Sequence, residues 1–113
     1  MMTTGGAYAA EDMLKAQFEA HYAQLLEHPS DRSLNLTYAA EAMQLQDYEA
    51  AISPLERILM PEPGNAKIHL QIGILYHLLG SDMIARQYFE DTLAIPDAPS
   101  AVTEEAKGYL HGV

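Results

Sequence analysis

Cysteine is absent from the 113 residues, which excludes disulfides and thiolate metal sites and leaves the redox compartment open. Basic side chains are scarce: six Lys and Arg stand against sixteen Asp and Glu, a formal charge of −10. Lys15, Arg32, Arg57, Lys67, Arg86 and Lys107 are scattered singly, so there is no basic patch for nucleic acid or an anionic membrane. The acidity itself reads as solubility and suppressed self-association. No apolar run approaches the ~20 residues of a membrane-spanning helix. The first ten residues lack a basic stretch followed by an apolar one, so they are not an intact signal peptide. The opening Met-Met-Thr-Thr-Gly-Gly fits a native start or the boundary left by a removed export signal, which keeps both periplasm and cytoplasm open.

What is present is enough apolar residue, 49%, for one domain around one core. Gly5 and Gly6 close an expected flexible lead-in over residues 1–7. From Tyr8 to Glu27 there is neither Pro nor Gly, and Leu14, Phe18, Tyr22, Leu25 and Leu26 recur at helical spacing. Pro29-Ser30-Asp31 ends that helix and offers a cap for the next, which the pattern carries to about Gln44. Asp47 caps a helix over Tyr48 to Met60, with Pro54 inside it, where the missing amide predicts a local bend. Pro61-Glu62-Pro63-Gly64-Asn65 is a firm stop with Asn65 as cap. Ala66 to Leu79 follows and ends at Gly80. Ser81 or Asp82 starts Met83 to Ile95, Pro96 to Pro99 breaks the chain, and Ser100 to His111 is the last helix. The expectation is six helices and no strand.

Two adjoining stretches of equal length, Arg32–Asn65 and Ala66–Pro99, repeat each other. With one set against the other, Leu36 falls on Leu70, Leu45 on Leu79, Ala51 on Ala85, Glu56 on Glu90 and Leu59 on Leu93. Ala39 falls on Gly73, Leu55 on Phe89 and Tyr38 on Ile72. Small residues at Ala39, Gly73, Ala51 and Ala85 suit close helix crossings, where a larger side chain would force the helices apart. Leu55 and Phe89 then fill the space between successive pairs.

A helix–turn–helix period of about 34 residues with these small and large positions resembles the tetratricopeptide repeat. The family's small residue of the first helix is similar to Ala39 and Gly73, its following aromatic to Tyr76 but not Ala42, and its second-helix alanine to Ala51 and Ala85. The closing proline corresponds to Pro63, while Pro96 arrives one residue early. Asn35 and His69 replace the usual aromatic near the start of the first helix, and Thr92 replaces a small apolar residue. The resemblance implies an all-α, short right-handed solenoid of antiparallel helix pairs. Residues 8–31 would form a half repeat, 32–65 and 66–99 two full repeats, and 100–113 a helix covering the open end. Leu34–Ala39, Asp47–Ile52 and Ala85–Phe89 also resemble the periplasmic repeat domains that precede outer-membrane β-barrels in Gram-negative bacteria.

The chemistry-bearing side chains point to binding rather than catalysis. His69 and His77 are about 12 Å apart along one helix by the rise per residue, and His21 and His28 about 10 Å. No His-x3-His or Glu-x-x-His spacing occurs, no Gly-rich phosphate loop, and no Gly-x-Ser-x-Gly elbow. A non-enzymatic protein without metal or cofactor is expected. The resemblance places the partner-binding face on the inner helices, at Ser33, Leu36, Ala40, Met43 and Gln44, then Lys67, Leu70, Ile74, His77 and Leu78. Chaperone-tail binders of the family hold a carboxylate at such positions with lysine and asparagine. Here Leu36, Leu70, Ala40 and Ile74 stand there, so that clamp is missing and an apolar trough containing Met43 remains, suited to an amphipathic helix or apolar peptide. The occupants it admits are another protein, the chain's own first helix, or a second copy. The function expected is therefore an interaction scaffold, the alternative a self-assembling structural unit.

Overall fold

A computed structural model describes residues 2–112, with side chains from residue 9 onward. Six helices follow one another: α1 (Met2–Glu27), α2 (Arg32–Gln44), α3 (Tyr48–Leu59), α4 (Ala66–Leu78), α5 (Asp82–Ala94) and α6 (Ser100–Gly112). No strand occurs among the described residues. The starts of α2, α4 and α6 are evenly spaced, and α5 starts after α3 by the same interval. Each helix packs against its chain neighbours, and α6 also reaches α4. The result is two layers, an inner one of α2, α4 and α6 and an outer one of α1, α3 and α5. The radius of gyration is 16.0 Å, where a compact chain of this length would have about 13 Å.

The period is visible in the caps. The Asp31 side chain accepts from the amide of Leu34 (2.9 Å), Asp47 from Ala50 (3.2 Å) and Asn65 from Ile68 (3.1 Å), each satisfying an otherwise orphaned first-turn donor. Ser81, the fourth cap, makes no such bond. The turns within each helix pair repeat as well. Gln46 and Gly80, at equivalent places in the two repeats, both have positive φ, 60° and 80°. Behind them Asp47 N donates to Ala42 O and Ser81 N to Tyr76 O, closing the ends of α2 and α4 in the same way.

Two apolar clusters hold the layers together. The first joins Ala39 and Ala42 of α2, Ala51, Ile52, Leu55 and Ile58 of α3, and Ile68, Ile72 and Leu75 of α4. The second joins Leu70, Ala85, Phe89 and Ala106, so it is made by α4, α5 and α6. Thr92, fully buried, disposes of its hydroxyl by donating to the carbonyl of Tyr88 at 2.8 Å.

α1 begins at Met2, ahead of the Tyr8 start expected behind a flexible lead-in. Extending an existing helix needs no new nucleus, and the two glycines cost only about 1 kcal/mol each against alanine. Among the described residues the backbone of α1 comes close to α2 alone. The Phe18 ring stacks on Tyr38 with centroids 4.3 Å apart. Beside them Nδ1 of His21 lies 2.8 and 2.9 Å from the two oxygens of the largely buried Glu41 carboxylate. α1 therefore sits on α2 much as α3 sits on α4, in the outer layer. α3 runs through Pro54, which is buried.

Candidate functional site on the inner helix face

The residues expected to bind a partner lie on α2 and α4, and packing sorts them into two groups. On α2, Ala40 is exposed, while Leu36 and Met43 are half-buried against the first cluster. On α4, Lys67 is exposed and Leu78 is 51% exposed. Ile74 is half-buried against the second cluster. His77 is half-buried too, with Nδ1 3.2 Å from an Asp82 carboxylate oxygen and its ring edge-on to Tyr109 at 5.5 Å.

Leu70 departs from the expectation. It is only 4% exposed and belongs to the second cluster with Phe89 and Ala106. The reason is α6, which folds back over α4 and α5, and whose fully buried Ala106 is small enough to let the helices close. Leu70 is a core residue beneath α6. The expected inner-face residues of α2 and α4 that keep apolar surface in reach of solvent include Leu36, Ala40 and Met43 on α2 and Leu78 on α4, an inner strip. The contacts of α1 with α2 run through Tyr38 and Glu41 rather than through Leu36, Ala40 and Met43.

Three apolar residues outside the expected set extend the open surface. Met83 is 89% exposed, Ile84 46% and Leu79 43%. They flank the Gly80 turn beside Leu78, so four large apolar side chains ring one tight connection. A scan for helical periodicity misses them because they belong to no single helix face. The sequence signal is the pair of apolar doublets on either side of Gly80-Ser81-Asp82.

Burial and the nearby Glu56 push the Tyr88 hydroxyl up to about 12, with the stacked Tyr76 adding to the effect. Tyr76 and Tyr38 are raised as well, burial being the main cause. Arg32 donates to Glu62 through Nε and Nη2, at 2.5 and 3.1 Å, and these bonds hold the Glu62 carboxylate below its ordinary range. His69 reaches the carbonyl of Pro63 through Nε2 at 2.9 Å and leaves Nδ1 buried without a partner. No group of three or more potential metal ligands occurs among the described residues.

The solved structures of MamA MSR-1 and MamA AMB-1 are similar over 93% and 96% of this chain, with TM-scores of 0.66 and 0.67. The fold is tetratricopeptide-like. The identities are 18% and 19%, and the match spans 68% and 66% of the two MamA chains, so the likeness concerns the fold alone. A curated relative, cellulose synthase operon protein C of Pseudomonas fluorescens (strain SBW25), is 30% identical over 105 residues. That match takes in 93% of this chain but only 8% of the relative's length. No family model matches the chain. No described helix is long and apolar enough to cross a membrane.

Proposed function

We propose that this tetratricopeptide-like chain is a non-enzymatic protein–protein interaction module that holds an apolar helix or peptide segment on its inner face. The observation that carries the reading is the apolar surface left over once the helices have packed. Leu36 and Met43 remain partly open on α2, and Leu78, Leu79, Met83 and Ile84 cluster at the α4–α5 turn. Surface of this kind, next to a rigid stack of helices, supplies anchors for a partner's apolar side chains. The fold alone does not name the partner. The Pseudomonas relative carries the name of a cellulose synthase operon, which supports a repeat segment within a larger bacterial assembly. The further reading, a periplasmic segment ahead of an outer-membrane barrel, rests only on the sequence resemblance.

Self-assembly is the second reading, and the exposed apolar side chains Leu78, Leu79, Met83 and Ile84 would serve a contact between copies as well as one with another protein. Affinity capture with the wild-type chain and with a Met43→Ser, Leu78→Ser double variant, run beside light scattering, separates the two readings. Loss of a defined partner with unchanged mass supports the adaptor. Loss of an oligomer supports assembly. Unchanged capture and mass reject the inner strip as the working surface.

A further inference from the structure

A second surface lies on the outer layer, where α1 and α3 flank α2. Its centre is Arg57, whose guanidinium donates to two neutral groups. Nη1 donates to Oδ1 of Asn35 at 2.8 Å and Nη2 to the Ser53 hydroxyl at 3.3 Å. Asn35, 1% exposed, is itself fixed, because its Nδ2 donates to the carbonyls of Pro29 (2.9 Å) and Asp31 (2.8 Å). Its Oδ1 is thereby aimed at Arg57. None of the salt bridges among the described residues includes Arg57. The guanidinium is thus preorganised by neutral partners and has about three of its five N–H donors left to offer.

Two clefts of about 480 Å³ each meet at Arg57 and Pro29. Tyr22, Leu26, Tyr38 and Pro54 wall one of them, and Ile58 and Met60 contribute to the other. Tyr22 is 53% exposed, Leu26 68% and Met60 81%, so the apolar walls face solvent. Among the described residues Glu62 is the one carboxylate that lines either cleft, and it is already bonded to Arg32. With Arg32 and Arg57 against Glu62 the lining carries a net positive charge, in a chain whose total is −10.

From this we infer that the outer groove docks a partner segment in which a carboxylate side chain stands between apolar ones. The carboxylate binds Arg57 and the apolar neighbours enter the two clefts. Charge complementarity selects this occupant. A basic segment would meet two arginines, and nucleic acid needs a row of cations rather than one fixed guanidinium. A second copy would bring another ten negative charges against the first. The surface is separate from the inner strip, so each can fail without the other.

The test is a ¹⁵N NMR titration of the whole chain with the blocked tetrapeptide acetyl-Phe-Glu-Leu-Leu-amide and with its Gln counterpart. Saturable shifts at Tyr22, Ser53, Arg57 and Met60 are expected with the Glu peptide, and at least fivefold weaker binding with the Gln peptide. Arg57→Gln should erase the preference for Glu over Gln. Because that change also strips a partner from Asn35, Leu26→Ser serves as a second variant that leaves the polar knot intact and should weaken both peptides. Equal affinity for the two peptides, no binding at millimolar peptide, or shifts confined to α4 would overturn the proposal. So would the same shifts on raising protein concentration alone, which would make a second copy the occupant.

Discussion

The ring of Phe89 lies directly on the backbone of Gly73. A Cβ added at Gly73 would stand 2.7 Å from Phe89 Cε1 and 2.9 Å from Cδ1, with the Cβ of Tyr88 at 3.2 Å. Phe89 is fully buried and has no room to retreat, so α4 and α5 can approach this closely only because residue 73 has no side chain. Gly73→Ala should cost about 1–3 kcal/mol, the usual penalty of overpacking, despite alanine's better helix propensity. Gly64→Ala, where nothing lies within 4 Å, is the control and should be near neutral. Urea unfolding followed by helical circular dichroism checks it; equal midpoints for the two variants would contradict the contact.

That contact is readable from the chain, because Gly73 and Phe89 take the places in the second repeat that Ala39 and Leu55 hold in the first. The caps Asp31, Asp47 and Asn65 are readable for the same local reason: a polar residue ahead of a periodic apolar run. What sequence reading misses depends on where distant elements return. Leu70 has the spacing of an inner-face residue, and only the arrival of α6 makes it core. Asn35 reads as a lost aromatic, yet it is the hub joining the α1–α2 turn to Arg57 of α3. Gln46 carries no local mark of a left-handed residue.

Gln46 offers a stabilising change. Its φ of 60° lies in the left-handed region, at the position where the second helix pair has Gly80 with φ of 80°. A side chain there costs roughly 1–2 kcal/mol, partly offset by the greater unfolded freedom of glycine. Gln46→Gly should therefore raise stability by about 1 kcal/mol, and Gly80→Ala should lower it by a similar amount. The two midpoints should move in opposite directions. Movement in the same direction would mean that the two turns are not equivalent.

Tyr88 sets an alkaline limit. Its hydroxyl is raised to about 12 by burial and by Glu56, from which it is 3.4 Å. Between its ordinary value near 10 and 12, the unfolded chain has lost the phenolic proton while the folded chain keeps it. Stability therefore falls as pH rises through that window, and the contribution is fully present below it. An absorbance titration at alkaline pH should show Tyr88 ionising late. Tyr88→Phe should flatten the fall without abolishing it, because Tyr38 and Tyr76 are raised too. An unchanged slope in the variant would show that Tyr88 ionises alike in both states.

The final comparison separates core from surface on a single helix. Leu70 and Leu78 both lie on α4, but Leu70 is 4% exposed beneath α6 and Leu78 is 51% exposed beside the Gly80 turn. Leu70→Ala removes buried methyl groups from a cluster whose other members, Phe89, Ala85 and Ala106, are fully enclosed. The expected loss is about 2–5 kcal/mol, transfer and cavity together. Leu78→Ala trims a side chain that water already reaches, and should stay within about 0.5 kcal/mol. Its effect should appear instead in partner capture or in oligomer mass. Two unfolding curves decide the matter. If Leu78→Ala proves as costly as Leu70→Ala, the α4–α5 turn is packed rather than open, and the inner strip loses its strongest anchor.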